Sequence, residues 1–206
     1  MERVRVEVSN GQDSGDIVMM GVTGLVPMAA QGLLQGYGEV PNTANLGMEP
    51  WFPEEVPVFS VTYGIVVNTN LVPESEEPSS WKDLLDEKWR GMLVTDEMTT
   101  PSSGQSWFAV MLDAFGEEYH RSMYLQDLNY DRAGPDQAKR VARGEFAIAF
   151  PFNMAELSSL EGLPLKGIIP EEGAAYTPVS VALIKEARHP NAAKLFMNYL
   201  LSEEGQ

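Results

Sequence analysis

Short apolar runs alternate with amphipathic stretches along this chain. Val4, Val6 and Val8 alternate with charged residues, which predicts a strand with one wet face. After turn residues at 9–15, "DIVMMG" (16–21) predicts a short, fully buried strand of the parallel-sheet type, and a glycine closing it lets a backbone or ligand come close. "GLVPMAAQGLLQG" (24–36) predicts a short helix begun or interrupted by Pro27. "VFSVTYGIVVNTN" (58–70) has the strongest strand content, being β-branched and aromatic. Ser80 ahead of "WKDLLDEKW" predicts a capped helix start.

The second half repeats the alternation. "GMLVTD" (91–96) reads as another buried strand. From Gln105 to Phe115 the apolar residues Trp107, Val110, Met111, Ala114 and Phe115 recur at helical spacing, and a second helix follows over 116–127. "GPDQAKRVARG" (134–144) has Pro135 and Gly144 where a helix start and stop favour them. "EFAIAFPFN" (145–153) reads as a buried strand, as does Val179 to Ile184. A last helix begins near Pro190, with Leu195, Phe196, Tyr199 and Leu200 as its apolar face. Strands and helices in alternation predict α/β architecture.

Charge and composition narrow the function. The 206 residues hold 14 Lys plus Arg against 30 Asp plus Glu, a formal charge of -16. That field repels nucleic acid and anionic membrane surfaces, and no basic block offsets it. Apolar runs of a few residues fall far short of the roughly 20 that cross a bilayer. Cysteine is absent, which removes disulfides, thiolate metal sites and cysteine nucleophiles.

One stretch raises a chemical question. In "TTPSSGQSWFAVMLDA" (99–114), Ser102, Ser103, Gly104 and Gln105 open a helix, and serines there are first of all caps. The same free N–H groups, hydroxyls and helix dipole also suit an anion. A nucleophilic serine has no support: there is no G-x-S-x-G elbow, and neither His120 nor His189 is tied to it by a motif. Glu117 and His120 share a helix face at a spacing used in bundle metal sites, but the chain has one copy, so the face reads as solvated. Met20 and Gly21 end a strand where open α/β sheets meet ligands.

Three stretches carry a family likeness. "SSWKDLLDEKWRGMLVTDEMTTPSSGQS", "RGEFAIAF" and "EARHPNAAKLFMNYLLSEEGQ", in that order and spacing, resemble extracellular solute-binding proteins of bacterial ABC importers. Within these the likeness is to the ferric-iron-binding-like group of type II periplasmic binding proteins, over about residues 15–206. The resemblance implies an α/β fold of two lobes with a ligand cleft between them and hinge motion on binding. Residues 1–72 would form part of lobe one with the first crossing strand, 73–172 lobe two, and 173–206 the return to lobe one. It further implies a strand-helix-strand unit before "DIVMMG" and more helix after "SEEGQ", so the N-terminal unit is expected to be missing and the chain truncated at both ends.

The same resemblance assigns the 102–105 loop to ligand contact. It places Tyr63 in the crossing region, with a ring and hydroxyl for the cleft, and Phe152 and Asn153 after the lobe-two strand, where the ring could stack and the amide hydrogen-bond. Iron-binding members carry adjacent tyrosines just after that strand, because phenolate oxygens suit ferric ion. Here Met154 and Ala155 stand in their place. The implied ligand is therefore a small, oxyanion-bearing organic solute, bound without conversion, with no cofactor and no metal. The implied partners are that solute and the membrane permease subunits of the importer, not nucleic acid. The protein would be a monomer, periplasmic or extracytoplasmic, held by a signal or lipid anchor. Two other readings stay open: a ligand-sensing domain of a receptor or regulator with this fold, and ferric iron held by non-tyrosine ligands.

Overall fold

A computed structural model of the protein describes residues 2–11, 15–100, 102–131 and 134–206. In chain order the helices and strands are α1 (Glu2–Ser9), β1 (Ile17–Gly21), α2 (Val22–Ala30), β2 (Leu34–Gln35), β3 (Glu55–Asn68), β4 (Leu93–Thr95), α3 (Ser103–Phe115), α4 (Glu117–Tyr124), β5 (Asn129–Tyr130), α5 (Gly134–Ala142), β6 (Ile148–Asn153), β7 (Leu165–Ile168), β8 (Ala175–Ile184) and α6 (Pro190–Leu200). Two compact units result, one of residues 1–60 with 177–206 and the other of residues 61–176. The divisions fall inside β3 and β8, so both chain passages between the units run through strands.

The first unit is built around β8. Because successive side chains of a strand point to opposite faces, Val181 and Leu183 enter one apolar cluster with Val56, Ala193 and Met197. Ala182 enters another with Leu25 and Met28 of α2. That two-sided burial explains the nearly unbroken apolar run "VSVALI". β1 pairs antiparallel with β8, from Ile17↔Leu183 to Gly21↔Val179, and β2 pairs antiparallel with its end.

Three expectations need correction here. The Val4/Val6/Val8 segment is a helix, not a strand. Val4 and Val8, four residues apart, pack on the α2 cluster while Val6 is exposed, and Arg3 pairs with Glu7 at 2.7 Å. A spacing of four satisfies both a strand and a helix. β1 is antiparallel and not fully buried: Met19 is 46% exposed. The buried face of α6 is Ala193 and Met197, with Leu200 and Leu201 beside them, whereas Leu195, Phe196 and Tyr199 are exposed. Of the turn expected at 9–15, positions 12–14 lie outside the described residues.

The second unit is a mixed sheet flanked by helices. β3 pairs antiparallel with β6 on one side and with β7 on the other. β4 pairs parallel with β6 and with β5. Trp81, Trp107, Phe150, Tyr119, Met111 and Met123 fill its main core. Trp107 is central there, with ring centroids 5.0 Å from Phe150 and 6.0 Å from both Trp81 and Tyr119, tilted or edge-on distances at which aromatic pairs attract. The capped start at Ser80 is a 3-10 helix, Trp81–Leu85, closed by a full capping box between Ser80 and Asp83.

Candidate functional site

Ser102 to Gln105 form the first turn of α3 in the second unit. Ser102 is the N-cap, its hydroxyl accepting from the Gln105 N–H at 3.2 Å and donating to the Glu97 carbonyl. The Asp96 carboxylate, at the end of the β4 segment, reaches the same turn. Its Oδ2 accepts the Ser103 hydroxyl at 2.6 Å and lies 3.4 Å from the Gly104 nitrogen, whose N–H points to it. Its Oδ1 accepts the Glu97 N–H at 2.7 Å.

Two first-turn donors of α3 and one hydroxyl therefore already have acceptors, one of them an acid suited to the positive end of a helix. The Ser103 N–H and the Gln105 side-chain amide have no partner among the described residues. Gly104 has no room for a side chain. A Cβ there would lie 2.6 Å from the Glu97 carbonyl oxygen and 2.7 Å from that of Asp96.

Tyr63 and Asn153, 90 positions apart, stand opposite each other in the β3–β6 register. The Tyr63 ring packs in the main core. The Asn153 side chain caps the following 3-10 helix, Met154–Leu160, accepting from the Ala155 N–H at 3.2 Å and donating to Glu156 at 3.1 Å. Phe152 is 0% exposed among Val66, Ala138 and Leu160, which leaves its ring no open face for stacking on a ligand. The strand alternation that turns it inward is the reason. Met154 is also turned inward: its sulfur lies 2.7 Å from where a Cβ on Gly64 would be, and its Cε 2.5 Å from that of Gly167.

Met20 and Gly21 lie at the end of β1 in the first unit. Gly21 is the N-cap of α2 and, having no side chain, leaves that end uncapped. The N–H groups of Val22, Thr23 and Gly24 have no partner among the described residues, and no acid occupies the first turn. Beside them stands Thr177 of β8. Its Cγ2 is 3.2 Å from the position of a Cβ on Gly21, and the Thr23 hydroxyl oxygen is 3.9 Å from that position. Thr177 is only 5% exposed, and its hydroxyl is buried without a hydrogen-bond partner.

Sequence reasoning missed Asp96, Thr23 and Thr177. An acid closing a strand seven residues before a serine-glycine turn was a usable signal for Asp96. Thr177 is remote from Gly21 in the chain, and only the antiparallel pairing of β1 with β8 joins them.

Two titrating groups stand away from these turns. The His120 imidazole of α4 is stacked on Phe108 at 3.8 Å and within 3.1 Å of the Phe108 carbonyl oxygen. Burial pushes its pKa below the ordinary 6.5, against the opposing effect of that hydrogen bond. Burial likewise raises the Tyr119 phenol well above its usual value, and its hydroxyl donates to the Trp81 carbonyl at 2.9 Å. Among the described residues no cluster of three or more His, Asp or Glu could hold a metal ion, and no helix is long and apolar enough to cross a membrane.

The sequence profile of a family described as "Bacterial extracellular solute-binding protein" matches residues 16–206. A relative from Salmonella typhi, the "Putative 2-aminoethylphosphonate-binding periplasmic protein", is 27% identical over 225 aligned residues, covering 100% of this chain and 62% of its own length. The periplasmic binding protein AfuA from Actinobacillus pleuropneumoniae, solved with fructose-6-phosphate bound, superposes with a TM-score of 0.79 at 25% identity, over 99% of this chain and 68% of its own. A ferric binding protein from Campylobacter jejuni superposes at 0.83, over 99% of this chain and 71% of its own. At 20% identity it speaks for the fold alone.

Proposed function

The chain belongs to the bacterial extracellular solute-binding protein family, and from that premise we propose that it is the capture component of an ABC import system for a small, oxyanion-bearing organic solute. One observation carries the reading: the match spans 16–206, and the Salmonella relative over the whole chain is named for a phosphonate. The chain spans 62% of that relative's length, so solute and partners are carried over as a proposal. Met154 and Ala155 support an organic oxyanion over ferric iron, since a thioether and a methyl supply no hard oxygen ligand.

In this reading the protein acts outside the cytoplasmic membrane, as a monomer. It holds the solute without altering it and presents the bound conformation to the permease. Binding spends its free energy on a shift of conformational population, and no side-chain set for turnover is required. Titration calorimetry of the protein with 2-aminoethylphosphonate and fructose 6-phosphate tests it. Saturable binding of either with one solute per protein, recovered chemically unchanged, supports the proposal. Absence of binding to both, or conversion of the solute, contradicts it.

A further inference from the structure

Nine asparagines lie along the chain, and only Asn10 is followed by glycine. Others have their side-chain amides engaged: Asn68, Asn42 and Asn153 donate to the Val141 carbonyl, the Asn198 carbonyl and the Glu156 carboxylate at 2.6, 2.8 and 3.1 Å. Asn10 and Gly11 are both exposed just past the end of α1, and the Asn10 side chain has no partner among the described residues. The Asn10 and Gly11 N–H groups donate to the Val6 and Val8 carbonyls, each at 3.1 Å. Gly11 takes φ +62°, the left-handed conformation that closes many helices. Nothing comes within 4 Å of where a Cβ on Gly11 would be, so no other segment shields this backbone. One hydrogen bond at a helix end, where chains fray, is what holds the Gly11 nitrogen.

From this geometry we propose that Asn10 is a self-modifying site, where a succinimide forms with Gly11 without any enzyme. When the helix end frays, the Gly11 nitrogen attacks the Asn10 Cγ. The new N–Cγ bond closes the ring as the Cγ–Nδ2 bond breaks. The Gly11 amide proton passes through water to Nδ2, which leaves as ammonia. Water then opens the ring at either carbonyl carbon. Cleavage of the N–Cγ bond leaves aspartate; cleavage between the Gly11 nitrogen and the Asn10 main-chain carbonyl leaves isoaspartate, with the chain rerouted through the side chain. Either product sets a carboxylate at the negative end of the α1 dipole, where the last turn holds no basic residue. α1 is held by Val4 and Val8 against the cluster of Leu25 and Met28, so this is where the modified chain loosens.

The test is to age the purified protein in mildly alkaline buffer and map its peptides by mass spectrometry, with enzymatic methylation to reveal isoaspartate. Residue 10 should gain the mass by which O exceeds NH, both products should appear, and the intact protein should elute later on anion exchange. Conversion at Asn10 should outrun that at every other asparagine about tenfold or more, a modest difference in barrier. Gly11→Ala adds a side chain beside the attacking nitrogen and Asn10→Gln must close a larger ring, so each should slow conversion about tenfold or more. Asn10→Asp, which carries one product's charge, should melt below the wild type. An aged wild type unconverted at residue 10, faster conversion at another asparagine, or undiminished conversion in Gly11→Ala and Asn10→Gln overturns the proposal.

Discussion

Gly104 shows how one residue's lack of a side chain shapes a turn. Its Cβ position lies 2.6 and 2.7 Å from two carbonyl oxygens, and backbone cannot step aside as a flexible side chain can. Gly104→Ala should therefore displace the start of α3 and cost about 1–3 kcal/mol of stability, the range for overpacking a tight site, read as a lowered urea midpoint. His120 gives a pH test. Because burial holds its folded pKa below 6.5, the folded state prefers the neutral ring. The stability this group contributes is whole above pH 6.5 and is lost as pH falls through that value toward the folded pKa. Urea midpoints should decline over that window, and His120→Gln should flatten the decline. The serine-glycine turn was legible in the sequence as a cap. Its acceptor, Asp96, was not singled out, because it reaches the turn from the end of β4.

At the scale of elements, α6 separates two apolar stripes that one period cannot rank. Ala193 and Met197 are buried, and Leu195 is 71% exposed, although leucine is the larger and more apolar choice than alanine. Met197→Ala should cost about 2–5 kcal/mol as a core truncation, whereas Leu195→Ser should change stability by less than about 0.5 kcal/mol; thermal or urea unfolding of the pair decides it. The long apolar strands β3, β6 and β8, and helices α3 to α5, with the Ser102 cap of α3 and the stop glycine Gly144 after α5, were readable locally. The error at α1 has a different cause, since the valines at 4 and 8 fit either period and only packing against the α2 cluster, which leaves Val6 exposed, chooses. β1 was misread for a related reason. An apolar run says nothing of strand direction, and its antiparallel partner is 166 to 158 residues away at Leu183 to Val179 by the register of Ile17 and Gly21.

For the whole molecule, the two units divide inside β3 and β8, and strand patterning is continuous through such a division. The chain carries -16 and is proposed to capture an anion, so local dipoles must outweigh an adverse overall field. Backbone N–H groups at a helix start free of acids do this within a few ångströms, where the distant charges are screened at physiological salt beyond about 8 Å. Family and fold class were legible because they depend on the order of many elements. The solute was not, because which residues meet is set by long-range pairing such as that of β1 with β8, which no local pattern encodes. The most direct measurement is titration calorimetry with 2-aminoethylphosphonate and fructose 6-phosphate, followed by mass spectrometry of the recovered solute. Saturable binding of at least one, one solute per protein and with its mass unchanged, is the predicted result; no heat of binding from either, or a converted product, would contradict the account.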